Sequence, residues 1–169
     1  MGKDTVGFIG EVSKRHEFGE AWVIEWPRTL VHYHTYGKLT PYFKALGQGK
    51  LMATRCTNPG CPISAGDGEA WLPPRADCPD CHMPMEWVEL SQPVVGTVYS
   101  YTHVKRGGAG LEIETPYYQI DVRIDGCCTI PKGYLIDAGK EPAIGMKVTP
   151  VFRTKDPTNT SLDIAWKTL

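Results

Sequence analysis

The sequence predicts a mainly β chain in three parts: a helical or irregular lead over residues 1–49, a cysteine module over 50–93, and a small closed β-barrel over 94–169. Three observations predict it. Eighteen glycines and fourteen prolines in 169 residues require many turns, which suits short strands better than a helical bundle. Four of the six cysteines fall as two close pairs inside "RCTNPGCPISAGDGEAWLPPRADCPDC", residues 55–81. Beyond them the chain runs through several stretches rich in valine, isoleucine, threonine and tyrosine, bounded by turn residues.

The composition allows a globular chain of one ordinary domain or two small ones, with 41% hydrophobic and 22% charged residues. No apolar run approaches the roughly 18 residues of a membrane span. The start, MGKDTVGFIGEVSKRHEFGE, has no secretory apolar core, so a cytoplasmic location is expected. The net charge of −1 hides an uneven distribution. Residues 1–55 carry eight basic and five acidic side chains, 56–94 one basic and six acidic, and 95–169 nine basic and eight acidic. The cysteine module is the acidic part.

In the lead, Thr40-Pro41 predicts an N-cap followed by proline at the first helical position. Tyr42, Phe43, Ala45 and Leu46 then form an apolar face, and Gly47 or Gly49 ends the helix. An earlier helix around Leu30–Tyr36 is compatible with the sequence. In the last segment Val94–Val104 is the first strand. Tyr118, Ile120, Val122 and Ile124 alternate with polar residues, the period of a half-buried strand. Asp125-Gly126 signals a tight hairpin, and Ile130–Ile136, Lys147–Arg153 and Ser161–Lys167 complete five strands. That number and length fit an OB-fold, with a sandwich as the alternative.

Cys56 and Cys61 form one pair, Cys78 and Cys81 the other, sixteen residues apart. Two cysteines on a tight turn can face one ion, and two such turns supply the four corners of a tetrahedron. Free thiols or disulfides are the alternative, but in a reducing compartment the paired spacing favours metal. Zinc is favoured over rubredoxin-type iron because nothing in the sequence suggests electron transfer. Four thiolates close the coordination sphere, which makes the metal structural. Pro79-Asp80 gives a regular second knuckle, whereas Thr57-Asn58-Pro59-Gly60 makes the first looser.

No catalytic arrangement stands out: there is no GxSxG elbow, P-loop or HExxH. Cys127-Cys128 reads as packing, since adjacent cysteines form a strained bridge. His32 and His34 lack a cysteine or acidic partner; His82 follows a ligand and reads as a cap of the knuckle; His103 lies on the first barrel strand. "KRGGAG", Lys105–Gly110, reads first as a flexible loop and second as a phosphate or partner contact. Two function classes remain: a nucleic-acid-binding ribbon with an OB-fold, against which the −5 balance of the ribbon argues, and an interaction subunit of a larger enzyme.

"YFKALGQGKLMATRC", "WLPPRADCPDC", "WVELS…GTVYSYTHV", "PYYQIDVRIDG" and "IGMKVTPVF" follow one another in an order that resembles an acyl-CoA-associated family. That family joins a rubredoxin-like zinc ribbon to an OB-fold and was labelled domain of unknown function thirty-five. The resemblance covers roughly residues 40–155, and the four-residue first knuckle departs from the usual two. It implies a subunit that is not catalytic alone, partnered by a thiolase-like chain that owns the nucleophile, acting on CoA thioesters, with aromatic-compound degradation as one setting. A hydratase or aldolase partner is the alternative, with no nucleic acid and no membrane as partner. If CoA reaches this chain, its phosphates need cations, and Arg75, Lys105 and Arg106 are the candidates; Arg75 bridging Asp77 or Asp80 is the simpler role.

Overall fold

The structure, a computed structural model, describes residues 14–18, 21–25, 33, 35–62, 68–107, 113–136 and 141–169, the first two stretches by backbone alone. Its contacts divide the chain into Met1–Thr35 and Tyr36–Leu169. In the first unit, β1 (Lys14–Phe18) pairs antiparallel with β2 (Ala21–Glu25), with Lys14 opposite Glu25 and Phe18 opposite Ala21. This pairing stands where the sequence suggested a helical or irregular segment, and the run AWVIE supplies the apolar, β-branched residues a strand favours. The helix proposed around Leu30–Tyr36 falls mostly outside the described residues, as do His32, His34 and Trp26.

The second unit opens with a 3-10 turn, Gly37–Leu39, that runs directly into α1 (Thr40–Leu46). Pro41 occupies the first turn as expected, but Thr40 does not cap the helix. Its hydroxyl instead donates to the Gly37 carbonyl at 2.7 Å, because the preceding turn already supplies helical backbone. The chain leaves the helix at Gly49, whose φ of +76° lies where glycine is least strained. Tyr42, Ala45 and Leu46 face inward, and burial pushes the Tyr42 hydroxyl up to about 12. Tyr36 stacks on Phe43 with ring centroids 3.7 Å apart.

In the cysteine module β3 (Met52–Arg55) pairs antiparallel with β4 (Glu86–Glu89), Met52 opposite Glu89 and Arg55 opposite Glu86. The chain between them carries the cysteines. Thr54 also bridges to Trp71, which adds a short third rung.

The barrel contains β5 (Gly96–Val104), β6 (Tyr117–Ile124), β7 (Lys132–Leu135), β8 (Lys147–Phe152) and β9 (Ile164–Thr168), and closes in the order β5-β6-β7-β9-β8. All neighbours are antiparallel except β7 and β9. Each of the five sequence-predicted strands is present. Inward positions Val98, Ile120, Val122, Leu135, Val148, Ile164 and Trp166 fill the barrel, as the period-two pattern requires. Tyr99 is the extra residue where the β5–β6 register shifts, so it projects outward with the Arg123 guanidinium 4.8 Å from its ring centre. Gly133 lies against the Trp166 indole; a Cβ there would sit 2.5 Å from two indole atoms.

The β6–β7 connection is longer than the tight hairpin the Asp125-Gly126 signal suggested. Those two residues do make a turn, with Gly126 at φ +80° and Cys127 N–H donating to the Ile124 carbonyl at 3.1 Å. The chain then travels outward to meet the cysteine module before returning at Lys132. Ala70 N–H donates to the Gly126 carbonyl (2.8 Å) and Cys128 N–H to the Ala70 carbonyl (3.0 Å). The Thr129 hydroxyl donates to the Leu72 carbonyl (2.6 Å) and accepts from the Leu72 N–H (2.9 Å). The extra residues pair with the ribbon, and Ala53, Ala70 and Leu72 join α1 and the barrel in one apolar cluster. No helix among the described residues is long and apolar enough to cross a membrane.

Candidate metal centre

Cys56 directly follows β3, Cys61 ends the first knuckle, and Cys78 and Cys81 flank Pro79-Asp80. The fold brings all four together: their Sγ atoms lie within 4.8 Å of one another, with Cys56 and Cys81 3.6 Å apart and Cys61 and Cys78 3.9 Å apart. A tetrahedron with metal–sulfur bonds of about 2.3 Å has edges of about 3.8 Å, so the sulfur positions fit such an ion. Cys56, Cys61 and Cys78 are buried and Cys81 half-buried; Met85 is buried beside them and Trp71 packs against the group.

Backbone hydrogen bonds shape both knuckles. In the second, Cys78 N–H donates to the Met83 carbonyl and His82 N–H to the Cys78 carbonyl, each at 2.9 Å. His82 takes a left-handed φ of 61° and caps the turn through its backbone, while its side chain is exposed. The looser first knuckle closes on Asn58. Its carbonyl accepts from Cys61 N–H at 3.0 Å, and its Oδ1 accepts from Gly60 N–H at 3.0 Å. The Asn58 side chain also hydrogen-bonds the Cys81 thiol, and with the Met83 backbone it holds that thiol below its ordinary pKa. Lowering a thiol pKa favours the thiolate, the form that binds metal. The Asn-Pro-Gly turn was legible in the sequence; the side chain reaching across to the other knuckle was not.

The remaining candidates scatter. Arg75 is exposed, its backbone N–H donating to the buried Thr54 hydroxyl at 2.9 Å and its guanidinium 4.8 Å from the Trp71 ring centre. Asp77 pairs with Lys38 at 3.2 Å rather than with Arg75. Lys105 and Arg106 are exposed just beyond the last residue of β5. Lys105 follows the end of the β5–β6 ladder where Val104 meets Tyr117. His103 stacks on Tyr118 with ring centroids 4.6 Å apart. Cys127 and Cys128 lie in the seam between ribbon and barrel. Burial, chiefly, pushes Cys127 up to about 11 and Cys128 above its ordinary value.

Comparison with known proteins places this architecture. The sequence profile described as "ChsH2, C-terminal OB-fold domain" matches residues 87–153. A "DUF35 domain-containing scaffold protein" of Methanocaldococcus jannaschii is 31% identical over 104 residues, 61% of this chain and 67% of that protein. Among solved structures, that of an "Ltp2-ChsH2(DUF35) aldolase" superposes with a TM-score of 0.60 at 22% identity, over 81% of this chain and 98% of that one. A DUF35-family protein of unknown function from Sulfolobus solfataricus superposes with a TM-score of 0.52 at 20% identity, over 76% and 83%. At such identities the two structures speak to the fold alone. With the fold, the four-cysteine cluster and the archaeal relative in agreement, this chain belongs to the DUF35 family.

Proposed function

We propose that the chain is a zinc-binding, non-catalytic subunit of a complex acting on CoA thioesters, in which a thiolase-type acyltransferase does the chemistry. The observation that carries this reading is the cluster itself. Four sulfurs at tetrahedral spacing leave a bound zinc no open position for water or substrate, so the ion contributes folding free energy rather than Lewis acidity. Cys56, Cys61, Cys78 and Cys81 hold it, and Asn58 orients Cys81. The raised thiol pKa values at Cys127 and Cys128 oppose nucleophilic roles for them. The name of the archaeal relative, a scaffold protein, supports a structural rather than catalytic part. On this reading residues 50–93 are the ribbon domain, 94–169 the barrel domain and 1–49 a lead available to the partner, all in the cytoplasm.

A second reading, an aldolase as the catalytic partner, is favoured by the superposable structure, which is that of an aldolase containing a DUF35 chain. In either case Arg75, Lys105 and Arg106 are the residues of this chain that would contact CoA. The test is co-expression with a thiolase-like and, separately, an aldolase-like chain encoded nearby. The chain alone is expected to turn over no acyl-CoA, and to co-elute with the thiolase-like chain. Co-elution with the aldolase-like chain alone would establish the second reading, and turnover by the isolated chain would overturn both.

A further inference from the structure

A cleft of about 430 Å³ opens where the ribbon meets the barrel, beside the Asp125-Gly126 turn. Its apolar walls include Val88, Leu90 and Ile124, and Arg55 lines it from the end of β3. Arg55 is half-buried, its Nε is buried without a hydrogen-bond partner, and among the described residues no ion pair includes its guanidinium. A buried N–H without an acceptor costs free energy, and an acceptor brought by a ligand would relieve that cost at the Arg55 Nε. The lining also includes Glu89, already held by Lys50 at 3.0 Å, and Asp125 on the turn. A ligand bringing one negative charge finds a guanidinium with an open Nε donor, whereas a second negative charge is repelled more strongly by the two carboxylates. The volume lies at the small end of the range for ligand pockets, roughly 300–1,000 Å³.

We propose that this cleft is a binding site for a small monocarboxylate with an apolar body, its carboxylate on the Arg55 guanidinium and its body against Val88, Leu90 and Ile124. A guanidinium suits the flat, two-oxygen geometry of a carboxylate. The cleft shares no lining residue with the four-cysteine cluster.

The test is a titration of the full zinc-loaded chain with hexanoate, 1-hexanol and hexyl phosphate at pH 7.5, followed by methyl chemical shifts of Val88, Leu90 and Ile124. Hexanoate is expected to shift those methyls and to bind at least tenfold more tightly than hexanol. Hexyl phosphate should bind no more tightly than hexanoate. Arg55→Gln should abolish the preference for hexanoate over hexanol, and Arg55→Lys should keep part of it. Ser91→Trp, at the exposed rim of the cleft, should weaken both hexanoate and hexanol while leaving zinc content unchanged. Equal affinity for hexanoate and hexanol in the wild type, or an undiminished preference in Arg55→Gln, would overturn the proposal. Tighter binding of hexyl phosphate would overturn its monoanion part. If Arg55→Gln does not fold, the wild-type ratio and Ser91→Trp decide.

Discussion

Around Cys56, Cys61 and Cys78 the buried cluster adds Met85, with Trp71 and Cys81 packed against it. Inside the barrel, Trp166 lies among Ile120, Val122, Val98, Leu135 and Val148, every one nearly or wholly removed from water. The first group has too little apolar area to hold its loops closed against their conformational entropy. The second has enough. On the proposed function the two regions differ in what holds them: one relies on an ion that draws four sulfurs together, the other on area removed from water. The difference teaches where each should fail, and agents that break one region should spare the other unless Ala53, Ala70 and Leu72 make them cooperative.

The largest effect should come from the cysteines. Elemental analysis is expected to give close to one zinc per chain, and Cys78→Ser should lose it. Structural zinc sites contribute apparent free energies of about 10–16 kcal/mol at neutral pH, so the knuckles should open. Hydrogen exchange sharpens the contrast: on chelation the amides of Cys78 and His82 should lose protection, while Ile120 and Val122 in β6 keep theirs. Simultaneous loss at all four would show that the seam fuses the regions into one cooperative unit. A metal-free chain with intact knuckle protection would remove the zinc assignment.

Next come substitutions in the barrel. Trp166→Ala removes a side chain with 1% exposure and should cost about 3–5 kcal/mol, read from a urea midpoint. Gly133→Ala forces a methyl toward the same indole and should cost about 1–3 kcal/mol. Both variants should retain zinc stoichiometry in the folded fraction. Release of zinc at denaturant concentrations below the barrel transition would show instead that the barrel supports the ribbon.

The sequence revealed these two regions unequally. The barrel was legible because its inward residues keep a period of two, visible in Ile120, Val122 and Ile124 without reference to any partner. The cysteine cluster was legible because four ligands must come from two short turns. What escaped was set by long-range contact. Residues 126–129 read as a hairpin return, yet they are extended to pair with Ala70 and Leu72, more than fifty residues earlier. The sequence offered Asp77 as a partner for Arg75, yet Lys38, thirty-nine residues earlier, takes Asp77, and the Arg75 guanidinium lies over Trp71. Arg55 showed no signal, because its unpartnered Nε is displayed only by the folded arrangement.

A smaller effect separates a polar anchor of the barrel from its apolar core. Asp163 is buried just before β9 and accepts from the Thr158 N–H (2.8 Å), the Thr158 hydroxyl (2.7 Å) and the Asn159 N–H (2.7 Å). Burial alone would raise its pKa, but the bonds from Thr158, Asn159 and Thr160 outweigh it and bring it below the ordinary value. A depressed folded pKa gives stability that is fully present above about pH 4, the unfolded value, and is lost as pH falls through the folded one. Asp163→Ala should cost about 1–3 kcal/mol by leaving donors unsatisfied. It should also flatten the acid limb of a melting-temperature profile below pH 4. An unchanged acid limb would mean that Asp163 is not the group titrating there.

The smallest effect is expected at the seam itself, where Cys127 and Cys128 test whether thiol chemistry extends beyond the four-cysteine cluster. Cys127 is half-buried, and its backbone does the joining: its N–H closes the turn onto Ile124, and the next N–H reaches Ala70. The Cys128 thiol makes a long contact of 3.5 Å to the Ala70 carbonyl. Alanine preserves every one of the backbone bonds, so Cys127→Ala/Cys128→Ala should shift stability by about 1 kcal/mol or less. With the Cys127 thiol pushed up to about 11, little thiolate exists at neutral pH. A chromogenic disulfide should therefore react slowly with the native chain at pH 7, faster as pH rises toward 11, and no faster at pH 7 in wild type than in the double variant. In a reconstituted complex the double variant should keep turnover within a few-fold of wild type. Rapid labelling at pH 7 that the double substitution removes, or a collapse of turnover with assembly intact, would give these thiols a chemical role and make the seam a second sulfur site.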